Sequence, residues 1–340
     1  MPTLSLYLPF NLWLILFAFG LTACDVIGEA DRIRSAETLQ FTNKVVLLEE
    51  FTGHKCVNCP AASEEAARLE SWCEGHLVVV GIHAGSYANT SGSAWKDDFR
   101  TEAGAAYEAY FRPDGYPAAM IDRKTTDGKI THDNLSAWSA LVLNSLAETA
   151  PVDIRLETSR LVGETEERLD ISLYREGIPV ETSAAPRAVT PVKTAVKTSN
   201  KISIATAHET PYETPSKTLV ETPVKVPSEK TVALPAEALS LQIWLVEDSV
   251  EAPQLTSDNS ILWDYRHRHV LRDAVNGIWG DEIRSDFSAA IPWQRSYRYT
   301  LRSEWNRTRC RFVVFVYRTK TREILQAAQI PLAGESAPSL

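Results

Sequence analysis

Apolar residues fall into short blocks along the chain, and the spacing inside the blocks changes midway. Residues 45–51 (Val-Val-Leu-Leu-Glu-Glu-Phe) and 77–83 (Leu-Val-Val-Val-Gly-Ile-His) are near-continuous apolar runs of strand length, the pattern of strands covered on both faces. Between them Cys59, Ala62, Ala66, Leu69 and Cys73 recur at helical spacing, with Pro60 suited to a first helical turn. Strand, helix and strand of these lengths predict a right-handed βαβ unit. A second helix is predicted over 94–111, with Trp95, Phe99, Ala103, Ala106 and Tyr110 on one face. Pro113-Asp114-Gly115 makes a turn, and a short strand follows at 118–122. After a hairpin turn at Thr126-Asp127-Gly128, a helix is predicted over 133–147 with Leu135, Trp138, Val142 and Leu146 along its face.

Beyond Pro151 the period becomes alternating. Val152, Ile154 and Leu156, then Leu169, Ile171 and Leu173, read as the two strands of a hairpin. Further strands are predicted at 241–246, 297–301, 312–317 and 324–330. Helical signals are scarce here, so the expected class is an α/β domain followed by an all-β, sandwich-like domain. Residues 183–236 interrupt the second domain with a loose Thr/Pro/Lys/Glu repeat, as in Glu209-Thr210-Pro211 and Glu221-Thr222-Pro223-Val224-Lys225. That composition lacks the aromatic and branched residues that offset ordering entropy, and it reads as a disordered insertion. The expected layout is a 38–150 domain and a 151–340 domain.

The N-terminal block is of a different kind. Residues 11–23 carry no charge, and the apolar run from 12 to 23 makes about 18 Å of helix against a hydrocarbon core of ~30 Å. Too short to span, it matches the apolar region of a signal peptide. The run ends in Leu21-Thr22-Ala23-Cys24, which resembles the bacterial lipobox; that resemblance implies cleavage after residue 23 and lipidation of Cys24. No Lys or Arg precedes Arg32, a departure from the usual positive start. A cleaved soluble signal and an uncleaved anchor are the other two readings. Residues 24–37 then form a polar tether.

Composition narrows the picture. A chain of 340 residues suits two domains, and 44% hydrophobic content with nine tryptophans supplies their cores. A net charge of −9 argues against a general nucleic-acid binder. Arginines from Arg295 to Arg311 read as a solvated face. Five cysteines are too few for a disulfide scaffold, so their positions matter.

Cys56-Val57-Asn58-Cys59 sits where a strand hands over to a helix. A helix N-terminus stabilises a thiolate, and His54 and Lys55 add to that by proximity. Cys56 is expected to be the exposed attacker, and Cys59, inside the first turn, to resolve the mixed disulfide. In the thioredoxin-like proteins that this order of elements resembles, a cis-proline before a strand packs against the dithiol; Pro117 in Gly115-Tyr116-Pro117-Ala118 is the candidate. Two other readings of the dithiol stay open. It is half of a zinc site with His54 and His83, or a permanent structural disulfide. Cys73 lies 14 residues beyond Cys59, about 21 Å along a helix, too far to pair with it. It reads as a buried free thiol, and Cys310 as part of a core strand. His267 and His269 have the spacing of two residues on one strand face, mostly a packing pattern. No Gly-rich phosphate loop, zinc-protease pair or serine elbow is present.

Taken together, the chain resembles the twenty-eight-kilodalton outer-membrane-protein family of bacterial lipoproteins. The matching stretches are Leu48-Glu49-Glu50-Phe51-Thr52-Gly53-His54-Lys55-Cys56-Val57-Asn58-Cys59-Pro60 and Gly115-Tyr116-Pro117-Ala118 in the first half. Trp244-Leu245-Val246-Glu247-Asp248, His269-Val270-Leu271-Arg272 with Asn276-Gly277, and Phe315-Val316-Tyr317 match in the second. The resemblance implies a thioredoxin-like domain, then a β-rich domain, on an outer-membrane lipid anchor facing the periplasm or the cell surface. Similarity to the thioredoxin superfamily assigns the chemistry to Cys56, Cys59 and Pro117. Val57-Asn58 differs from thioredoxin's Gly-Pro, and no tryptophan precedes the dithiol. Two functions are expected to compete: thiol–disulfide exchange on exported proteins or a redox partner, and a non-catalytic surface lipoprotein with a structural disulfide. Neither calls for a metal, a cofactor or nucleic acid.

Overall fold

A computed structural model describes residues 42–160, 165–175, 238–284 and 286–334. The expected signal peptide, lipidated Cys24, tether and 183–236 insertion lie outside these residues. All described residues belong to one compact unit, Thr42–Leu340.

The first half builds the expected βαβ unit. Strand β1 (Val46–Thr52) runs parallel to β2 (Leu77–His83), pairing Val46 with Leu77 through Thr52 with His83, and helix α1 (Cys59–Trp72) crosses between them. Helix α2 (Glu102–Phe111) follows, then β3 (Ala118–Ile121), antiparallel to β1, and helix α3 (Leu135–Leu146). The predicted helix over 94–111 is shorter than expected. It begins only at Glu102, where the Thr101 side chain accepts a hydrogen bond from Gly104 N and caps the first turn. Trp95 and Phe99 have helical spacing but pack on histidine rings instead.

Among the described residues the second half is built of strands, with one short 3-10 turn at Arg307–Arg309. β4 (Val152–Ser159), β5 (Glu166–Arg175) and β11 (Trp293–Thr300) form a three-stranded antiparallel sheet. β6 (Leu239–Glu247), β9 (Val270–Ala274), β10 (Asp281–Ile283), β12 (Cys310–Arg318) and β13 (Ile324–Pro331) join β1, β2 and β3 in a single sheet of order β13-β12-β6-β9-β2-β1-β3, with β10 paired to β6. The seam is a parallel bridge of Gly81 to Val270, where Gly81 N donates to His269 O at 2.8 Å. Gly81 permits this approach, because a Cβ there would sit 3.2 Å from the Arg268 carbonyl oxygen. β7 (Val250–Leu255) and β8 (Ile261–His267) form a separate hairpin.

Alternation along the long strands divides the core. Leu241, Ile243 and Leu245 of β6 and Phe312, Val314 and Val316 of β12 face the three-stranded sheet through Leu169, Ile171 and Leu173. The opposite side chains, Trp244, Val246, Val313, Phe315 and Tyr317, join Leu47 and Phe51 of β1, Val78, Val80 and Ile82 of β2, and Ala103 and Tyr107 of α2. Inside that shared core Arg123 grips Glu49 through two bonds of 2.7 Å, both buried. Five rings surround the guanidinium at 5.1–5.8 Å: Tyr107, Phe111, Trp244, Phe315 and Tyr317. The two halves therefore share one sheet and one core across the expected boundary near residue 150.

Candidate functional site

The dithiol lies at the end of β1. The chain leaves the strand at Thr52 and turns through Gly53, with Cys56 N donating to Gly53 O; it enters α1 with Cys59 as the first helical residue and Pro60 next. Gly53 has to be glycine, since a Cβ would meet the Tyr87 carbonyl at 2.5 Å. The Cys56 and Cys59 sulfurs are joined in a disulfide, with the α-carbons 5.4 Å apart. Cys73 and Cys310 are free and buried, and burial raises their thiol pKa values to about 11 and about 12. Both are poor nucleophiles at neutral pH.

Pro117 is cis to Tyr116. The register places it one residue beyond the Phe51–Ala118 pair, at the end of β1 from which the dithiol loop departs. Tyr116 packs 6.1 Å from Phe51 and 5.4 Å from Tyr87, and its hydroxyl donates to Glu108 Oε1 at 2.9 Å.

The expectation of an exposed Cys56 is corrected: Cys56 is 2% exposed and Cys59 1%. Two distant segments cover them. On one side, residues 84–99 fold over the loop. Tyr87 O accepts from Lys55 N, Asn89 O lies 2.9 Å from His54 Nε2, and Trp95 stacks on the His54 ring at 5.0 Å. On the other, the β7–β8 hairpin arrives from the second half. Leu255 N donates to His54 O at 2.8 Å, and Gln254 Nε2 donates to Cys56 O at 2.9 Å.

The two supporting residues behave differently from expectation. Lys55 Nζ is held by Asn89 Oδ1 and by Ser91 O and Oγ, neutral acceptors that fix the ammonium on the covering loop. Burial lowers the His54 pKa and favours the neutral ring, which adds no positive charge beside the sulfurs. The helix N-terminus and the Lys55 ammonium are the fixed positive features of the loop.

Sequence reasoning missed the acid at this site. Glu50 points to the α1 side of β1 and shares a cavity of about 10 Å³ with Cys59, Ser63, His83, Gln254, Tyr265 and His267. Its Oε1 has no hydrogen-bond partner, and burial raises its pKa to about 8 with only the Thr52 hydroxyl opposing. The signal was present, because two adjacent acids in a buried strand must face opposite sides; Glu49 meets Arg123, and Glu50 meets the dithiol.

His83 Nε2 and His267 Nδ1 lie 3.4 Å apart, with Phe99 edge-on to the His83 ring at 5.0 Å. Burial drives both histidines toward the neutral form, His267 to about 4. His267 and His269 are both buried packing residues and do not share a strand face. His267 ends β8, while His269 takes a left-handed φ of 54° and places Nε2 3.1 Å from Glu70 Oε2 of α1. Among the described residues no cluster of three or more His, Cys, Asp or Glu is arranged to hold a metal. A cleft of about 490 Å³ beside Lys124, His132 and Glu148 contains neither cysteine of the disulfide.

Among solved structures, HBP35 of Porphyromonas gingivalis is similar over 88% of this chain and 79% of its own, at 14% identity and a TM-score of 0.57. The likeness is one of fold. A protein of Agrobacterium tumefaciens covers 88% of this chain and 99% of its own at 10% identity, with a TM-score of 0.43. A domain of the outer membrane lipoprotein Omp28 from Porphyromonas gingivalis covers 56% and 93% at 16% identity, with a TM-score of 0.27. No curated protein matches the chain. Residues 173–334 match the family model described as outer membrane protein Omp28.

Proposed function

We propose that the chain is a lipid-anchored thiol–disulfide exchange protein of the outer membrane, with a thioredoxin-like part that acts on exported proteins through Cys56 and Cys59. The observation that carries this reading is Glu50. A permanent staple needs no proton donor, yet a buried carboxyl without a charged partner borders Cys59 and keeps its proton up to about pH 8. Leaving such a group buried costs stability, and groups of this kind concentrate at reactive sites.

In the oxidised form a client thiolate attacks the Cys56 sulfur and the Cys56–Cys59 bond breaks. Its electron pair leaves on Cys59, which takes the Glu50 proton. A second client thiolate then attacks the client sulfur of the mixed disulfide, releasing Cys56 as a thiolate and the client as a disulfide. Two electrons have passed from client to protein, and the reverse sequence reduces a client disulfide. Pro117 borders the reacting end of the loop, and Cys24 supplies the anchor.

Trapping with the full-length Cys59→Ser protein tests this. Mixed disulfides between Cys56 and envelope proteins, together with insulin reduction by the wild type, are expected. An inactive wild type with an untrappable Cys56 would reject the reading. One observation favours the non-catalytic surface protein, namely the near-complete burial of both sulfur-bearing residues. A disulfide that survives mild reductant as the free protein and with every client would establish it.

A further inference from the structure

The excursion of residues 250–267 is placed where it controls access to the disulfide. β6 and β9 are antiparallel neighbours whose last pair is Glu247 with Val270, so β7 and β8 are an insertion at what would otherwise be a tight turn. Among the described residues the two strands pair only with each other. Both ends of the insertion pass through left-handed non-glycine residues, Ser249 and His269, each at a φ of 54°. Asp248 Oδ1 accepts from both of their backbone N–H groups, at 2.8 and 3.2 Å. The hairpin is thus a flap on a clamped base, with its base end packed through His267 against His83 and Phe99. Its hydrogen bonds to the dithiol loop are two, Leu255 N to His54 O and Gln254 Nε2 to Cys56 O. Its outward strand bares Leu262 at 45% and Trp263 at 64% exposure, an apolar grip on the flap itself.

Resting on the reading of Cys56–Cys59 as a reactive disulfide, we propose that the β7–β8 hairpin determines which partners reach it, with Gln254 as the latch. Lifting the flap uncovers Cys56 and frees two carbonyl acceptors, those of His54 and Cys56. An extended polypeptide can donate a backbone N–H to the His54 carbonyl, as Leu255 does, and a side-chain or backbone N–H to that of Cys56, where Gln254 donates its side-chain amide. The partner class is therefore an extended polypeptide strand that takes β7's place. Gln254 is a positioning residue, since it acts through the cover.

The test compares two reductants on the full chain: a small phosphine, which slips past side chains, and soluble reduced thioredoxin, which needs docking space. In Gln254→Ala the reduction rate by thioredoxin is expected to rise at least tenfold over the wild type, with the phosphine rate within twofold. A Leu255→Pro variant, which removes the donor to His54 O, is expected to shift the ratio the same way. Equal rate ratios in wild type and variants, in proteins with unchanged circular dichroism, overturn the proposal. Should the variants not fold, hydrogen exchange on the wild type decides. The Leu255 amide is expected to exchange at least a hundredfold faster than that of Leu245 in β6, and equal protection overturns the cover. A shifted ratio with no trapped client supports the flap while sinking the exchange function.

Discussion

Glu50 titrates against the fold. Its ordinary pKa of 4.5 is raised to about 8 in the folded protein, so between these values the unfolded chain releases a proton that the folded chain retains. Stability from this residue therefore falls as pH rises from 4.5 to about 8 and is level outside that window. Glu50→Gln is expected to stabilise the protein by about 3 kcal/mol at pH 7, at ~1.4 kcal/mol per pH unit, with no gain at pH 4. Urea unfolding across that range checks it; a gain independent of pH sinks the assignment. The same variant is expected to slow disulfide reduction, because Cys59 leaves without its proton source. Removing Glu49 has the opposite effect on stability. Glu49→Ala strands Arg123 among five rings and is expected to cost about 3–5 kcal/mol, read as a lowered urea midpoint. The strand carrying both acids was legible in the sequence. Their separate duties were not, because the partners Arg123 and Cys59 come from other segments.

At the scale of elements, periodicity found what local pattern can find. β1, α1, β2, β3 and α3 stand within a few residues of expectation, as do the strands at β5, β6, β12 and β13. The helix at 94–111 was overextended because Trp95 and Phe99 are four apart, the spacing of a helical face; their rings instead cover His54 and His83. The true start carried its own mark in Thr101. Thr101→Ala is expected to cost about 1 kcal/mol by calorimetry, since Gly104 N loses its acceptor. β7 escaped notice because Pro253 breaks a six-residue strand, and so the burial of Cys56 escaped too. The bond from Gln254 to Cys56 spans 198 residues, beyond the reach of any local pattern.

For the molecule as a whole, α-helices among the described residues end at Leu146 but the sheet does not. The crossing rests on the seam at Gly81 and Val270 and on a core to which both halves contribute. Residues 42–334 are therefore expected to melt in a single calorimetric transition with equal calorimetric and van't Hoff enthalpies. A fragment ending at residue 150 is expected to remain unfolded, because Leu47, Val80 and Tyr107 lose Trp244, Val246 and Phe315. Two resolved transitions, or a folded fragment, would contradict the shared core. The α/β and all-β halves were readable from their periods, whereas their fusion depends on pairing between strands almost two hundred residues apart.

The Glu49–Arg123 pair has a consequence for how the chain is born. Both charges are made early, but three of the rings that enclose them belong to Trp244, Phe315 and Tyr317. A polypeptide emerging N-terminus first keeps that box open to water until its final strands arrive. Maturation consequently waits on the tail: a chain stopped before residue 310 is expected to leave the pair without the rings of Phe315 and Tyr317 and to stay unfolded.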